Sequence, residues 1–186
     1  MLKAFFDKAN AIYEYRFPRP MIEYLKEREG KDLIGVEIGT QSGINALNML
    51  KNLSIKTLYL VDPYKFYEYR GRTEGAVDSD IVQEKHFQRA MDNLLRYKGY
   101  IKFIYLKSED ASRHIPKGLD FVYIDGNHDY QFVKKDLFLY WRKVRKGGVM
   151  GGHDINHPGV FRAVAEFRNR RNKKIHIERK DWWFIK

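Results

Sequence analysis

The sequence predicts an α/β fold: a mostly parallel sheet with helices on both faces, ending in an antiparallel C-terminal hairpin. Three observations predict it. Apolar runs of strand length recur along the chain with amphipathic stretches between them, the rhythm of strand, crossover helix and strand. The run LIGVEI, which starts at Leu33, halts at two glycines, Gly39 and Gly43, set among polar residues, as a buried parallel strand does where it turns into a helix. The chain closes with KIHIE and DWWFIK, separated only by Arg179 and Lys180. Two residues are too few for a helical crossover, so this last pair is antiparallel.

Taken in order, residues 1–30 read as one or two helices, interrupted at Phe17-Pro18-Arg19-Pro20 where proline ends a helix. The first strand covers 33–38 and its helix 42–52; the run TLYLV gives a second strand over 57–61. Residues 63–80, rich in tyrosine and glycine, form a connection longer than such crossovers need. Helical patterns follow at 81–97, 130–144 and 158–171, and strands at 101–106, 119–124 and 147–152. Within 130–144, Phe132, Val133, Asp136, Leu137, Tyr140, Trp141 and Val144 keep a period near 3.6, so one face of that helix packs on the sheet.

At 186 residues and 44% hydrophobic content the chain suits one domain over 1–186, with a helical cap at 1–30 and the core from 33 to 186. The absence of cysteine excludes disulfides, zinc–thiolate centres and a cysteine nucleophile. Lys3, Asp7 and Lys8 interrupt the first apolar stretch, unlike a secretory signal, and nothing approaches the roughly 18 apolar residues that span a bilayer. The expectation is a cytoplasmic protein with no membrane partner. The net charge is +11, with basic residues dense over 168–180. That segment is either a site for nucleic acid or another anion, or the solvated end of a helix and an edge strand.

Open α/β sheets bind ligands at the carboxyl ends of their strands, so the residues there are the candidates. After the first strand stand Glu37, Gly39, Thr40, Ser42 and Gly43: the glycines let backbone approach a ligand, Glu37 supplies a carboxylate, and Ser42 is placed to cap the next helix. After the second stands Asp62, whose short carboxylate can accept two hydrogen bonds from a ribose diol or, with Pro63, simply start a turn. Ser108 and Glu109 follow the third strand, Asp125 and His128 the fourth, His153 and Asp154 the fifth. Hard oxygen ligands on adjacent strand ends suit magnesium, manganese or calcium, with Asp125, His153 and Asp154 as ligands and His128 taking a proton from a substrate hydroxyl. The alternative is that Asp125 and Asp154 cap helices and the histidines are hydrogen-bonded surface groups.

Over about residues 33–167 the segments VEIGTQSG, LVDPY, YIDGNHDY, VKKDL and KGGVMGGHDINHPGV resemble class I S-adenosylmethionine-dependent methyltransferases. The likeness is to the small branch related to macrolide-sugar and catechol O-methyltransferases. It implies a Rossmann-like seven-stranded sheet with its last strand inserted antiparallel. It also implies that Glu37 and the Gly39–Gly43 turn, Thr40 and Ser42 included, hold the methionine part of S-adenosylmethionine. Asp62 would hold the ribose, and Ser108 and Glu109 the adenine. Asp125 would serve in both cofactor binding and catalysis, with His128 as base and Asp125, His153 and Asp154 as the ligands of a divalent cation. Histidine at 153 departs from the acidic or amide residue more usual in that branch.

The reading is therefore O-methylation of a small molecule or sugar, with Asp125, His153 and Asp154 positioning the acceptor hydroxyl either directly or through a divalent cation. A larger acceptor would need the 63–80 loop, the first helices or a second subunit in a homodimer. Two alternatives stand beside it: ribose methylation of RNA through the basic segment, and a catalytically silent cofactor-binding protein. A nicotinamide dehydrogenase is disfavoured because Gly39 and Gly43 do not complete G-x-G-x-x-G.

Overall fold

The computed structural model describes residues 17–28, 30–65 and 80–186. Helix α1 (Pro20–Arg28) leads into β1 (Leu33–Ile38), α2 (Ile44–Asn52) and β2 (Ile55–Val61). Then come α3 (Asp80–Leu94), β3 (Ile101–Ile104), the short α4 (Ser108–Ala111) and β4 (Leu119–Ile124). The chain ends with α5 (Tyr130–Trp141), β5 (Val144–Gly152), α6 (Pro158–Arg171), β6 (Ile175–Glu178) and β7 (Asp181–Ile185). The helices expected before Phe17 and most of the 63–80 connection lie outside the described residues.

One seven-stranded sheet runs β3-β2-β1-β4-β5-β7-β6. Strands β1 to β5 pair in parallel, while β7 is antiparallel to both β5 and β6 and lies between them. The two-residue connection Arg179–Lys180 makes this hairpin, with Glu178 paired to Asp181.

Strand alternation divides the core between the two faces. On β4, Val122 and Ile124 pack with α5 and α6, whereas Phe121 and Tyr123 pack with α1 and α2. On β7, Trp182 and Phe184 join the first face and Trp183 the second. Phe121, Phe167 and Phe184 are fully buried, each contributing roughly 2 kcal/mol by removal from water. Among the described residues no helix is long and apolar enough to cross a membrane.

Several boundaries differ from expectation, and three of them bear on packing or on the site. Helix α5 stops at Trp141, and Val144 already belongs to β5, paired with Leu119. Val144 kept the helical period because its side chain is buried in the same cluster as Tyr140 and Trp141. Strand β3, at the sheet edge, ends at Ile104, leaving Tyr105 and Leu106 exposed. Helix α2 starts at Ile44 rather than 42, because Gly43 takes the left-handed conformation at its N-cap.

Candidate active site

The parallel strands deliver their carboxyl ends to one edge, and backbone hydrogen bonds set the turns there in contact. The Gly39 amide donates to the Val61 carbonyl at 2.9 Å, and the Asp125 amide to the Ile38 carbonyl at 2.8 Å. Gly39 has φ 88°, and a Cβ built there would lie 2.2 Å from the Asp125 carbonyl oxygen. Only glycine meets both conditions. Ser42, expected as a helix cap, stands one residue too early: the N-cap is Gly43, which makes no side-chain bond. The Ser42 carbonyl instead accepts from Asn93 Nδ2 at 2.9 Å.

Glu37 is 1% exposed. Its Oε1 accepts from Asn45 Nδ2 at 2.8 Å, while Oε2, like Thr40 Oγ1, is buried with no partner among the described residues. Burial pushes the Glu37 carboxyl up to about 8, with Asn45 countering and Asp125 adding to the rise. Buried polar atoms without partners cost roughly 1–3 kcal/mol each, and two beside a glycine turn point to a ligand that satisfies them.

Asp62 is gripped by the chain around it. Its Oδ2 accepts the Gln41 amide and its Oδ1 the Tyr64 amide, both at 2.9 Å, and the Tyr64 hydroxyl donates to the Gln41 carbonyl at 2.9 Å. Burial raises the Asp62 pKa, and the amides of Gln41, Tyr64 and Thr40 with the charge of His86 oppose that rise. Gln41 and Tyr64 both adopt positive φ, 47° and 46°, a conformation that non-glycine residues hold only under constraint. The Tyr64 ring lies 5.3 Å from Phe87 and 6.4 Å from Tyr105.

Ser108 and Glu109 follow β3 as expected, but their side chains engage α5. The Ser108 hydroxyl donates to Asp136 Oδ1, its carbonyl accepts from the Tyr140 hydroxyl at 2.7 Å, and Glu109 pairs with Lys135. Among the described residues neither side chain hydrogen-bonds to Asp62. Tyr105 is the β3-end residue whose ring joins that group through Tyr64. The sequence reading had Tyr105 inside the strand, and only the end of β3 at Ile104 sets it one residue past.

Across Gly39, β4 and β5 assemble the second half of the site. His128 Nε2 lies 3.6 Å from Asp125 Oδ1 and 3.3 Å from Asp154 Oδ2. His153 Nδ1 is 3.1 Å from Asp154 Oδ1 but 4.0 Å from Asp125 Oδ1. Among the described residues, the ligand atoms of Asp125, His128 and Asp154 lie within 4.8 Å of one another, with His153 beside the same two acids. Asp154 sits at φ 54° and spans both histidines, one with each oxygen. Burial disfavours its charge, yet the hydrogen bond and charge of His153, with His128 and Lys180, hold it down at about 2. Neither acid caps a helix: α6 is capped by His157, whose Nδ1 accepts from the Gly159 amide, and α5 begins after Asp129.

Three residues of the site escaped the sequence. Arg19 Nη1 donates to Asp125 Oδ2 at 2.6 Å and to the Tyr123 hydroxyl at 3.2 Å. Tyr123 in turn donates to Asp181 Oδ1 at 2.7 Å, and Asp181 Oδ2 accepts the Met21 amide at 3.0 Å, closing the start of α1. Burial opposes the charge on Asp125, but Arg19, His128 and His153 together hold its pKa below the usual carboxylate range. Pro18 and Pro20 on either side of Arg19 hint at a fixed, extended residue, but no local pattern pairs position 19 with position 125.

A family model described as a methyltransferase domain matches residues 36–155. The chain is 32% identical over 178 residues to the uncharacterized protein R132 of Acanthamoeba polyphaga mimivirus, across 88% of this chain and 76% of that one. Its fold superposes on the O-methyltransferase NovP with TM-score 0.64 at 18% identity, covering 89% of this chain and 76% of that one. It superposes likewise on the O-methyltransferase from Bacillus cereus in complex with SAH, with TM-score 0.62 at 14% identity, over 96% and 88%. The model match takes in the glycine turn, Asp62, Asp125, His128, His153 and Asp154, more than half of the chain, and the chain thus belongs to the methyltransferase-domain family, as an S-adenosylmethionine-dependent methyltransferase.

Proposed function

We propose that this protein methylates a hydroxyl group on a small molecule or sugar. The observation that carries the reading is the abutment of two half-sites. The turn holding the unsatisfied Glu37 and Thr40 atoms packs through Gly39 directly on Asp125, whose side chain faces His128. Glu37 and Thr40 would hold the methionine end of S-adenosylmethionine, and Asp62 its ribose. Bound there, the cofactor supplies a methyl group on a sulfonium sulfur, open to in-line displacement.

The protein then has to align an acceptor oxygen, keep water out and remove one proton. His128 is placed for the last task. Its Nε2 faces Asp125 and Asp154 together, and two carboxylates stabilise the imidazolium formed when the ring takes the hydroxyl proton. Asp125, His128 and Asp154 also offer two hard oxygens and a nitrogen to a divalent cation, which would lower the pKa of a bound hydroxyl. One Nε2 cannot be both ligand and base, and Asp125 already holds Arg19, so proton removal is assigned to His128 and no step to a cation.

The arginines of α6 favour a small acceptor over RNA, while Lys180 of the same segment lies at the site, its charge acting on Asp154. Helix α6 starts beside the site at His157 and runs 14 residues, about 21 Å at 1.5 Å per residue, which carries Arg168 to Arg171 to its far end. There Arg170 pairs with Glu166 at 2.8 Å, and Arg171 lies over Phe138 and Phe167.

Titration calorimetry with S-adenosylmethionine, then transfer of labelled methyl to catechols, hydroxylated aromatics and sugars, tests the proposal. Saturable binding and label on an acceptor oxygen are expected. Failure to bind the cofactor, or transfer only to RNA, would overturn it.

A further inference from the structure

Arg19 occupies a carboxylate that a metal-assisted site would offer to its ion. Its guanidinium touches Asp125 Oδ2 at 2.6 Å, with the Arg19 side chain only 14% exposed and Asp125 18%. The group is held from behind as well: Tyr123 accepts from it and passes the hydrogen bond to Asp181, which fixes the amide at the start of α1. Asp125, which faces both histidines, is thus neutralised by a side chain arriving from 106 residues away, anchored in a fully buried Tyr–Asp pair.

We propose that Arg19 is the resident cation of this site: it compensates Asp125 and closes the Asp125–His128–Asp154 cluster to divalent ions. The physical reason is charge. A guanidinium bonded to one oxygen of a carboxylate removes that oxygen from coordination and repels a doubly charged ion from the other. The same bond leaves His128 available as a base. This deepens the methyl-transfer reading, and the cofactor, the acceptor and the transfer step take no part in its test.

The test is titration with Mn2+, followed by electron paramagnetic resonance of the free ion, on the full chain and on Arg19→Gln and Arg19→Lys. The unsubstituted protein should take up no ion at this cluster. Arg19→Gln should gain a saturable site, roughly ten- to a hundredfold tighter than Arg19→Lys, which a further Asp154→Asn abolishes. Should Arg19→Gln fail to fold, the Arg19 guanidinium resonances of the unsubstituted protein serve: millimolar Mg2+ should leave them unchanged. Tight Mn2+ binding by the unsubstituted protein that Asp154→Asn removes would overturn the proposal, as would a folded Arg19→Gln that binds none, or Mg2+ that releases the guanidinium. A failed methylation assay with these ion results intact would remove the function and leave the role of Arg19 standing.

Discussion

A Cβ on residue 39 would sit 2.2 Å from the carbonyl oxygen of Asp125, so the glycine turn after β1 and the turn after β4 are packed backbone against backbone at Gly39. Gly39→Ala should therefore damage both at once. The added methyl meets immobile backbone, and φ 88° disfavours any side chain, so a loss of roughly 2–4 kcal/mol in urea unfolding is expected. Cofactor binding by calorimetry should fall with it.

Asp62 accepts two backbone amides, from Gln41 and Tyr64. Asp62→Asn keeps the shape but replaces one oxygen by a donor. Cofactor affinity should drop by about tenfold to a hundredfold, in line with about 1.5–3 kcal/mol for a hydrogen bond to a charged group. An unchanged dissociation constant would remove Asp62 from the binding site.

Glu37 gives a pH test with a definite sign. Its carboxyl sits at about 8 against an ordinary 4.5, so between those values the folded protein binds a proton that the unfolded chain has released. Stability should be highest below about pH 4.5 on this account and fall as pH rises toward 8, then level off. Glu37→Gln should flatten that slope in thermal melts, by several degrees at roughly 2–4 °C per kcal/mol for a chain of this size. A cationic cofactor favours the charged carboxylate, so its binding near pH 7 should release protons, measurable by calorimetry in buffers of different ionisation enthalpy.

His128 Nε2 lies 3.3 Å from Asp154 Oδ2. His128→Ala should lower turnover about 10²–10⁴-fold, while the cofactor dissociation constant stays within about twofold. Loss of cofactor binding instead would make His128 a binding group.

Asp181 ties the Met21 amide and the Tyr123 hydroxyl together at the start of α1. Burial raises its pKa, with those two bonds opposing. Asp181→Ala should destabilise by about 1–3 kcal/mol, as loss of a cap and of a buried partner does. Hydrogen exchange should localise the loosening to residues 20–28.

Much of this was legible because it is local. The glycine turn, the acid ending β2 and the Asp125–His128 and His153–Asp154 segments follow apolar runs whose length and alternation mark strands, and parallel strands bring their carboxyl ends together by topology. The hairpin was legible because two residues cannot hold a crossover. Which group each side chain touches was not. His153 and His128 flank the same acid, and only the left-handed turn at Asp154 decides that His128 completes the three-residue cluster. Ser108 and Glu109 stand at the expected level but turn to α5, because Asp136 and Lys135 are their nearer partners.

By itself, then, the sequence determined the order of the strands along the chain, their parallel sense, the antiparallel close and the edge at which the chemistry sits, since hydrophobic periodicity and turn residues act over a few neighbours. The tertiary structure alone decided that Arg19 neutralises Asp125 and that Tyr123 and Asp181 hold it there. Ion pairing depends on distance in space, and nothing local in a chain encodes which residue will arrive from 106 positions away.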